Sequence, residues 1–281
     1  MKRHPLIAFF VLAYALSWWA WIPYALGVFP NPVASFGPFL AALLVLAITE
    51  GRTGILGLLH RMVRWRVRPG WYIVALLLPA GLTALATLLN VALGAERPTP
   101  ADLGRWTGIF GTFAIVLLVP GVGGAWEEPG WRGYALPRMQ KRWSALTSAL
   151  VLGVLIAGWH LPLIVVGQVR YPDLVLILAA AVVFNWLFNH VGGSVLLIML
   201  AHAANNAVSG SYFSTMFTGA DAVREAWLLA LVWGVAALAL IVVGGRRDLS
   251  RTQPRQVEPP AGEIVTSATD AAATVVAGRK D

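Results

Sequence analysis

Apolar stretches about as long as a bilayer is thick recur from end to end of this chain, and they leave few folds open. Lipid offers the backbone no hydrogen bonds, so such a chain must satisfy its amides within helices or a closed barrel. The runs are continuous rather than alternating, which selects helices of the roughly 20 residues needed to span a bilayer. Charged residues fill only 12% of 281 positions and apolar residues 58%, against roughly 25% charged in a soluble domain. The expected fold class is all-α: a polytopic membrane bundle of about eight transmembrane helices.

The spans read at about 6–28, 33–49, 71–94, 106–126, 145–167, 173–190, 192–210 and 226–243. The first follows Met1-Lys2-Arg3-His4 as a signal peptide would. It is too long and too rich in Trp, and it lacks a small-residue cleavage site, so a retained span is expected. The sixth and seventh share one apolar stretch, divided where Gly192-Gly193 can turn the chain. Residues 50–70 alternate Arg with Leu, Met, Val and Trp. An ordinary basic loop is the favoured reading there, and an interfacial helix lying on anionic lipid is the alternative. Residues 1–244 are read as the bundle. From 245 to 281 the composition turns Pro-, Thr-, Ala- and Gln-rich, which predicts a disordered cytoplasmic tail.

The net charge of +8 does not point to nucleic acid, because of where the charge lies. With the N-terminus inside, 17 Arg and Lys fall in inner segments and 4 in outer ones, together the 21 of the chain. That asymmetry follows the positive-inside rule and predicts both termini cytoplasmic. The bilayer is thus the expected partner. A preference for Arg, 18 against 3 Lys, points to a prokaryotic cell membrane. With no cysteine, the chain has no disulfide, thiolate metal site or cysteine nucleophile.

Against this background four polar clusters stand out: Glu127-Glu128, Arg132, His160, and His202 with Asn206. Ionisable groups inside transmembrane segments are costly and generally persist for chemistry or ion movement. Adjacent helical residues point about 100° apart, so Glu127 and Glu128 should not share a pocket. Glu128 stands four residues before Arg132, the favourable order for an ion pair, which leaves Glu127 free to face a cavity as a base. Pro129 disfavours helix at Glu128 and predicts a break and restart there. His160 lies deep in an apolar helix just before Leu161-Pro162. His202 and Asn206 share one helix face, where the Asn amide could orient the His or donate to an oxyanion. Taken singly, each cluster also reads as capping or helix–helix bonding, and Asn90, Asn185, Asn189 and Asn205 suit that role.

The order EExxxR, an intramembrane His followed by Leu-Pro, then HxxxN after Gly-Gly-Ser resembles the CPBP family. That family groups type II CAAX prenyl proteases with bacteriocin-processing and abortive-infection-type membrane proteins. The stretch EEPGWRGYALP, Glu127 to Pro137, is the most specific part, and the resemblance covers about 120–210 within a family-like core at about 105–243. Ile156 stands where the family often has Phe. The resemblance implies that Glu127 and His160 activate water. It also implies that His202 and Asn206 stabilise the tetrahedral intermediate, while the structural, positioning role of Glu128 and Arg132 follows from their spacing.

The chemistry points the same way. Intramembrane peptide hydrolysis needs an activated water, an oxyanion donor and a proton for the leaving amine, and a carboxylate kept from water suits a general base near neutral pH. No HExxH or GxSG motif is present. Glu127, His160 and His202 could supply three zinc ligands, or Glu127 and His160 could polarise water with no metal, so the cofactor is either zinc or none. The expected activity is an intramembrane endopeptidase acting on membrane-associated peptides or proteins. Two rivals remain: an ion- or proton-coupled transporter, and a non-catalytic membrane immunity or scaffold protein.

Overall fold

Pro5 opens helix α1 (Pro5–Ala25), at a position where a missing N–H costs nothing, and an unbroken apolar run carries the helix on. In the computed structural model, residues 2–249 are described, and most of the tail expected over 245–281, from 250 onward, lies outside them. Regular structure among the described residues is helical throughout. It comprises α2 (Gly37–Thr49), α3 (Gly51–Met62), α4 (Gly70–Ala92), α5 (Pro100–Leu118), α6 (125–139), α7 (Ala145–Trp159), α8 (Tyr171–His190), α9 (Val195–Asn205) and α10 (Gly219–Asp248). Helices α1, α4, α5, α8 and α10 are long and apolar enough to cross a membrane, and α2 and α7 are shorter apolar helices. The chain is a polytopic helical membrane bundle. Large apolar side chains stand on its outside, among them Leu77 and Leu88 on α4 and Val235 and Val242 on α10, where lipid tails solvate them.

Packing sets the neighbours. Helix α1 lies along α2, α8 between α7 and α10, and α4 against both α9 and α10. A buried aromatic layer ties α1 to α6 and α7. Trp21 meets Trp159 with ring centroids 4.2 Å apart, Trp131 meets Trp159 at 5.5 Å, and Phe9 meets Trp131 at 5.6 Å. All four rings are essentially excluded from the surface.

Several boundaries differ from the sequence reading. The span expected over 106–126 stops at Leu118, because Pro120 and the left-handed Gly121 and Gly123 turn the chain. It resumes as the separate helix α6. The span expected over 145–167 ends at Trp159 and restarts as a short helix, Leu161–Val165, with Pro162 in its first turn, where no N–H is required. The Gly192-Gly193 pair does make the turn expected of it, with φ of 65° and 77°. The favoured loop reading of residues 50–70 is corrected: α3 forms because Ile55, Leu58 and Met62 recur on one face and pack inward. Helix α10 runs to Asp248, so 245–248 belong to it rather than to the tail, Arg246 and Arg247 being good helix formers.

Helices α6 and α7 leave the same turn at 140–144. Glu127 at the start of α6 and His160 at the end of α7 therefore reach similar depth, each roughly 20 Å of helical rise from that turn. An acid that the apolar run seemed to leave at the membrane boundary is thereby brought inside the bundle.

Candidate active site

Glu127 and Glu128 sit in the first turn of α6, and the backbone there is helical (Glu128 φ −62°, ψ −35°). Pro129 is tolerated because it too lies in that turn, so the expected break is instead a helix start. Glu127 is 6% exposed and Glu128 fully buried. The side chains diverge as the 100° offset requires. Glu128 takes the Arg132 guanidinium, with Nη1 donating to Oε1 at 3.1 Å and Oε2 at 3.0 Å. Glu127 has no ion pair among the described residues.

Glu128 has a second role that sequence spacing did not suggest. His202 on α9 places Nδ1 2.6 Å from Glu128 Oε1. A carboxylate can only accept, so the proton is on Nδ1, and Glu128 rather than Asn206 orients the ring. Arg132 is in turn fixed by Nε donating to Asn185 Oδ1 at 3.0 Å, with the guanidinium 5.5 Å from the Phe184 ring. Arg132 lies inside the bundle, 3% exposed.

His160 terminates α7. Its Nδ1 donates to the Ile156 carbonyl at 2.9 Å, which leaves Nε2 as an acceptor. Trp21 stacks on the ring at 5.9 Å and Trp159 meets it edge-on at 4.8 Å. Asn206 lies one turn beyond His202, at the start of a wide π-helical turn, Asn206–Gly210. A second such turn, Trp131–Ala135, holds Arg132. Wide turns of this kind often occur at functional sites because they re-aim side chains.

Glu127, His160, His202 and Asn206 all line one cavity of about 560 Å³, and Arg132 reaches its wall. The six polar residues marked in the sequence thus converge. The residues missed are those that hold the backbone close. Gly123, at φ +66°, and Gly124 press the loop before α6 against α9. A Cβ on Gly123 would meet Asn206 Nδ2 at 2.8 Å, and one on Gly124 would meet His202 Nε2 at 2.0 Å. Ser35 Oγ donates to the Gly123 carbonyl at 2.7 Å and anchors that loop. The Gly-rich run 121–124 was the available signal, hidden because the apolar pattern appeared to run through it.

Among the described residues no three His, Asp or Glu side chains stand close enough to hold one metal ion. Nδ1 of His202 is taken by Glu128 and Nδ1 of His160 by a carbonyl, so each ring has one nitrogen left. What remains is a carboxyl group, two imidazoles and an amide around a shared space.

Fold and geometry define a membrane-embedded helical protein with an acid–histidine–asparagine cavity inside its bundle. Residues 109–208, which contain every residue of that polar set, match the family model described as Type II CAAX prenyl endopeptidase Rce1-like. A CAAX prenyl protease 2 of Methanococcus maripaludis is 34% identical over 97 residues, 34% of this chain and 35% of that protein. The chain therefore spans about a third of the length of the curated relative it matches. Over residues 109–208 the chain is thus similar to Rce1-like type II CAAX prenyl endopeptidases.

Proposed function

We propose that the chain is an intramembrane endopeptidase, CAAX-protease-like, that hydrolyses peptide bonds of membrane-associated proteins or peptides. One observation carries this reading: Glu127, His160, His202 and Asn206, from three helices, line a single cavity. In the reaction, Glu127 takes a proton from water held against the free Nε2 of His160, and the water oxygen attacks the scissile carbonyl carbon. The carbonyl oxygen becomes an oxyanion. It meets the Asn206 amide and His202, which donates from Nε2 only when the ring is protonated on both nitrogens, its Nδ1–H being held by the Glu128 carboxylate. The proton on Glu127 then passes to the leaving nitrogen as the C–N bond breaks. The membrane is that of a prokaryotic cell, with the basic ends of the bundle in the cytoplasm.

The test is Glu127→Gln, which keeps size and hydrogen bonding but removes the proton acceptor. Substrates are first identified by comparing membrane peptides with and without the active protein. Their cleavage should then fall by about 10²–10⁴-fold while folding is retained. Wild-type cleavage by a folded Glu127→Gln protein overturns the assignment.

A further inference from the structure

At one end of the cavity stands the buried Glu128–Arg132–Asn185 group, and beyond it along α6 Tyr134, Leu136 and Met139 are each at most 1% exposed and line no part of the cavity. From Arg132 and His202 the lining runs toward Pro32, Gln168 and Gly210, which lie in the segments joining helices at the other end. At the Tyr134–Met139 end, chain segments are tied together. Arg64 Nη1 donates to the Gly192 carbonyl at 2.7 Å, Ser194 Oγ donates to the Arg64 carbonyl at 2.8 Å, and Arg138 pairs with Glu50. That end carries seven Arg and Lys within 61–68 and 138–142. The mouth end carries four, Arg97, Arg105, Arg170 and Arg224.

A second cavity, of about 400 Å³, adjoins the first at the mouth, with Gln168, Leu176, Ser209 and Gly210 lining both. Its walls include Arg170, Asp173, Ser214 and Glu225. Glu225 lies on the apolar helix α10, is 6% exposed, and accepts from Thr87 Oγ1 at 2.9 Å. Nothing in the proposed reaction uses it. A carboxylate on such a helix is tolerated where it faces a water-filled space rather than lipid, and the polar lining makes this side chamber such a space.

We infer that the candidate active site is served from the extracytoplasmic face, through a hydrated mouth formed by residues around Gln168 and Ser209–Ser214 and widened by the Glu225 chamber. Basic loops remain in the cytoplasm, and here they mark the closed end. The substrate class follows: membrane-anchored or secreted peptides whose scissile bond lies in or near the outer leaflet, rather than tails presented from the cytoplasm. This rests on the peptidase reading for the word substrate, but the direction of opening stands without it.

The absence of cysteine from the sequence makes the test direct. Single-cysteine variants at Gln168, Ser209 and Ser214 report the mouth, and those at Arg66 and Lys141 report the basic end. Each full-length variant, expressed in bacterial membranes, is exposed to a charged, membrane-impermeant maleimide in spheroplasts and in inside-out vesicles. Labelling after denaturation confirms that each thiol is present, and gel filtration in detergent confirms folding. Mouth cysteines should label in spheroplasts and not in inside-out vesicles, and basic-end cysteines the reverse. Mouth cysteines that label only in inside-out vesicles, or on neither side in folded protein, overturn the inference. Labelling Ser209→Cys from outside with a bulky maleimide should also abolish cleavage, and full cleavage by labelled protein refutes this route for substrate. Failure of the peptidase reading shows up separately, as Glu127→Gln cleaving normally, and leaves the labelling pattern intact.

Discussion

Replacing Gly124 with alanine should displace His202 and disable the site without unfolding the bundle. The new Cβ would stand 2.0 Å from His202 Nε2 and 2.3 Å from Cε1, against an ordinary contact of 3.4 Å. The ring must therefore retreat by up to 1.4 Å, the difference between those distances. It cannot do so freely, because Nδ1 is held at 2.6 Å by a fully buried Glu128. Overpacking of this kind costs about 1–3 kcal/mol, and a misplacement of about 1 Å at a reacting centre can cost on the order of 10²-fold in rate. The backbone itself does not resist the change, since Gly124 has φ −93°. Thermal unfolding in detergent, measured as a double-mutant cycle with His202→Ala, isolates the clash. In the His202→Ala background Gly124→Ala should be nearly neutral, giving a coupling close to the whole single-mutant loss. Gly81→Ala is the control, because a Cβ there meets nothing within 4 Å. Equal cost of Gly124→Ala in both backgrounds would refute the argument that the glycine exists to admit the imidazole.

Glu128→Gln should destabilise more than Glu127→Gln, by about 3–5 kcal/mol, because it leaves the buried Arg132 charge uncompensated; chemical unfolding of the two variants in one detergent measures the difference. The pair Glu128→Leu with Arg132→Met should recover much of that loss while cleavage stays abolished, since a buried ion pair can be replaced by apolar groups at little cost. Asn206→Ala should lower kcat by about 10²–10³-fold with little change in KM, as expected for a group that meets only the oxyanion. Activity should survive exhaustive chelation and metal analysis should find no stoichiometric zinc; loss of activity restored by zinc would show that the donors regroup around an ion.

Much of this molecule was legible in the one-dimensional pattern, for identifiable reasons. Lipid leaves the backbone only internal partners, so long apolar runs specify helices almost regardless of context. Gly192-Gly193 marked a turn because only glycine takes two successive left-handed conformations cheaply. Glu128 and Arg132 were predicted partners because four residues is one helical turn. What failed were readings that depend on contacts between distant segments. A basic loop is the favoured reading of the Arg-rich stretch 50–70, with a surface helix as the alternative, yet α3 forms there and packs Leu58 into the bundle. Hydropathy likewise carried the fourth span past the Gly-rich run at 121–124, because a scale that averages over a window does not register backbone that turns.

The sequence by itself determined the class of fold, the set of polar residues worth watching and the segment, about 120–210, whose motifs resemble a known family. Charges and apolar runs are local properties, and the cost of putting them in lipid is local too. Only the tertiary structure decided what those residues do to one another. It gave His202 to Glu128 across 74 positions of chain, brought Glu127 to the depth of His160 by turning α5 early, and used two glycines to admit an imidazole and an amide. These outcomes depend on which helix lies against which, and that is set by side-chain packing summed over the whole bundle.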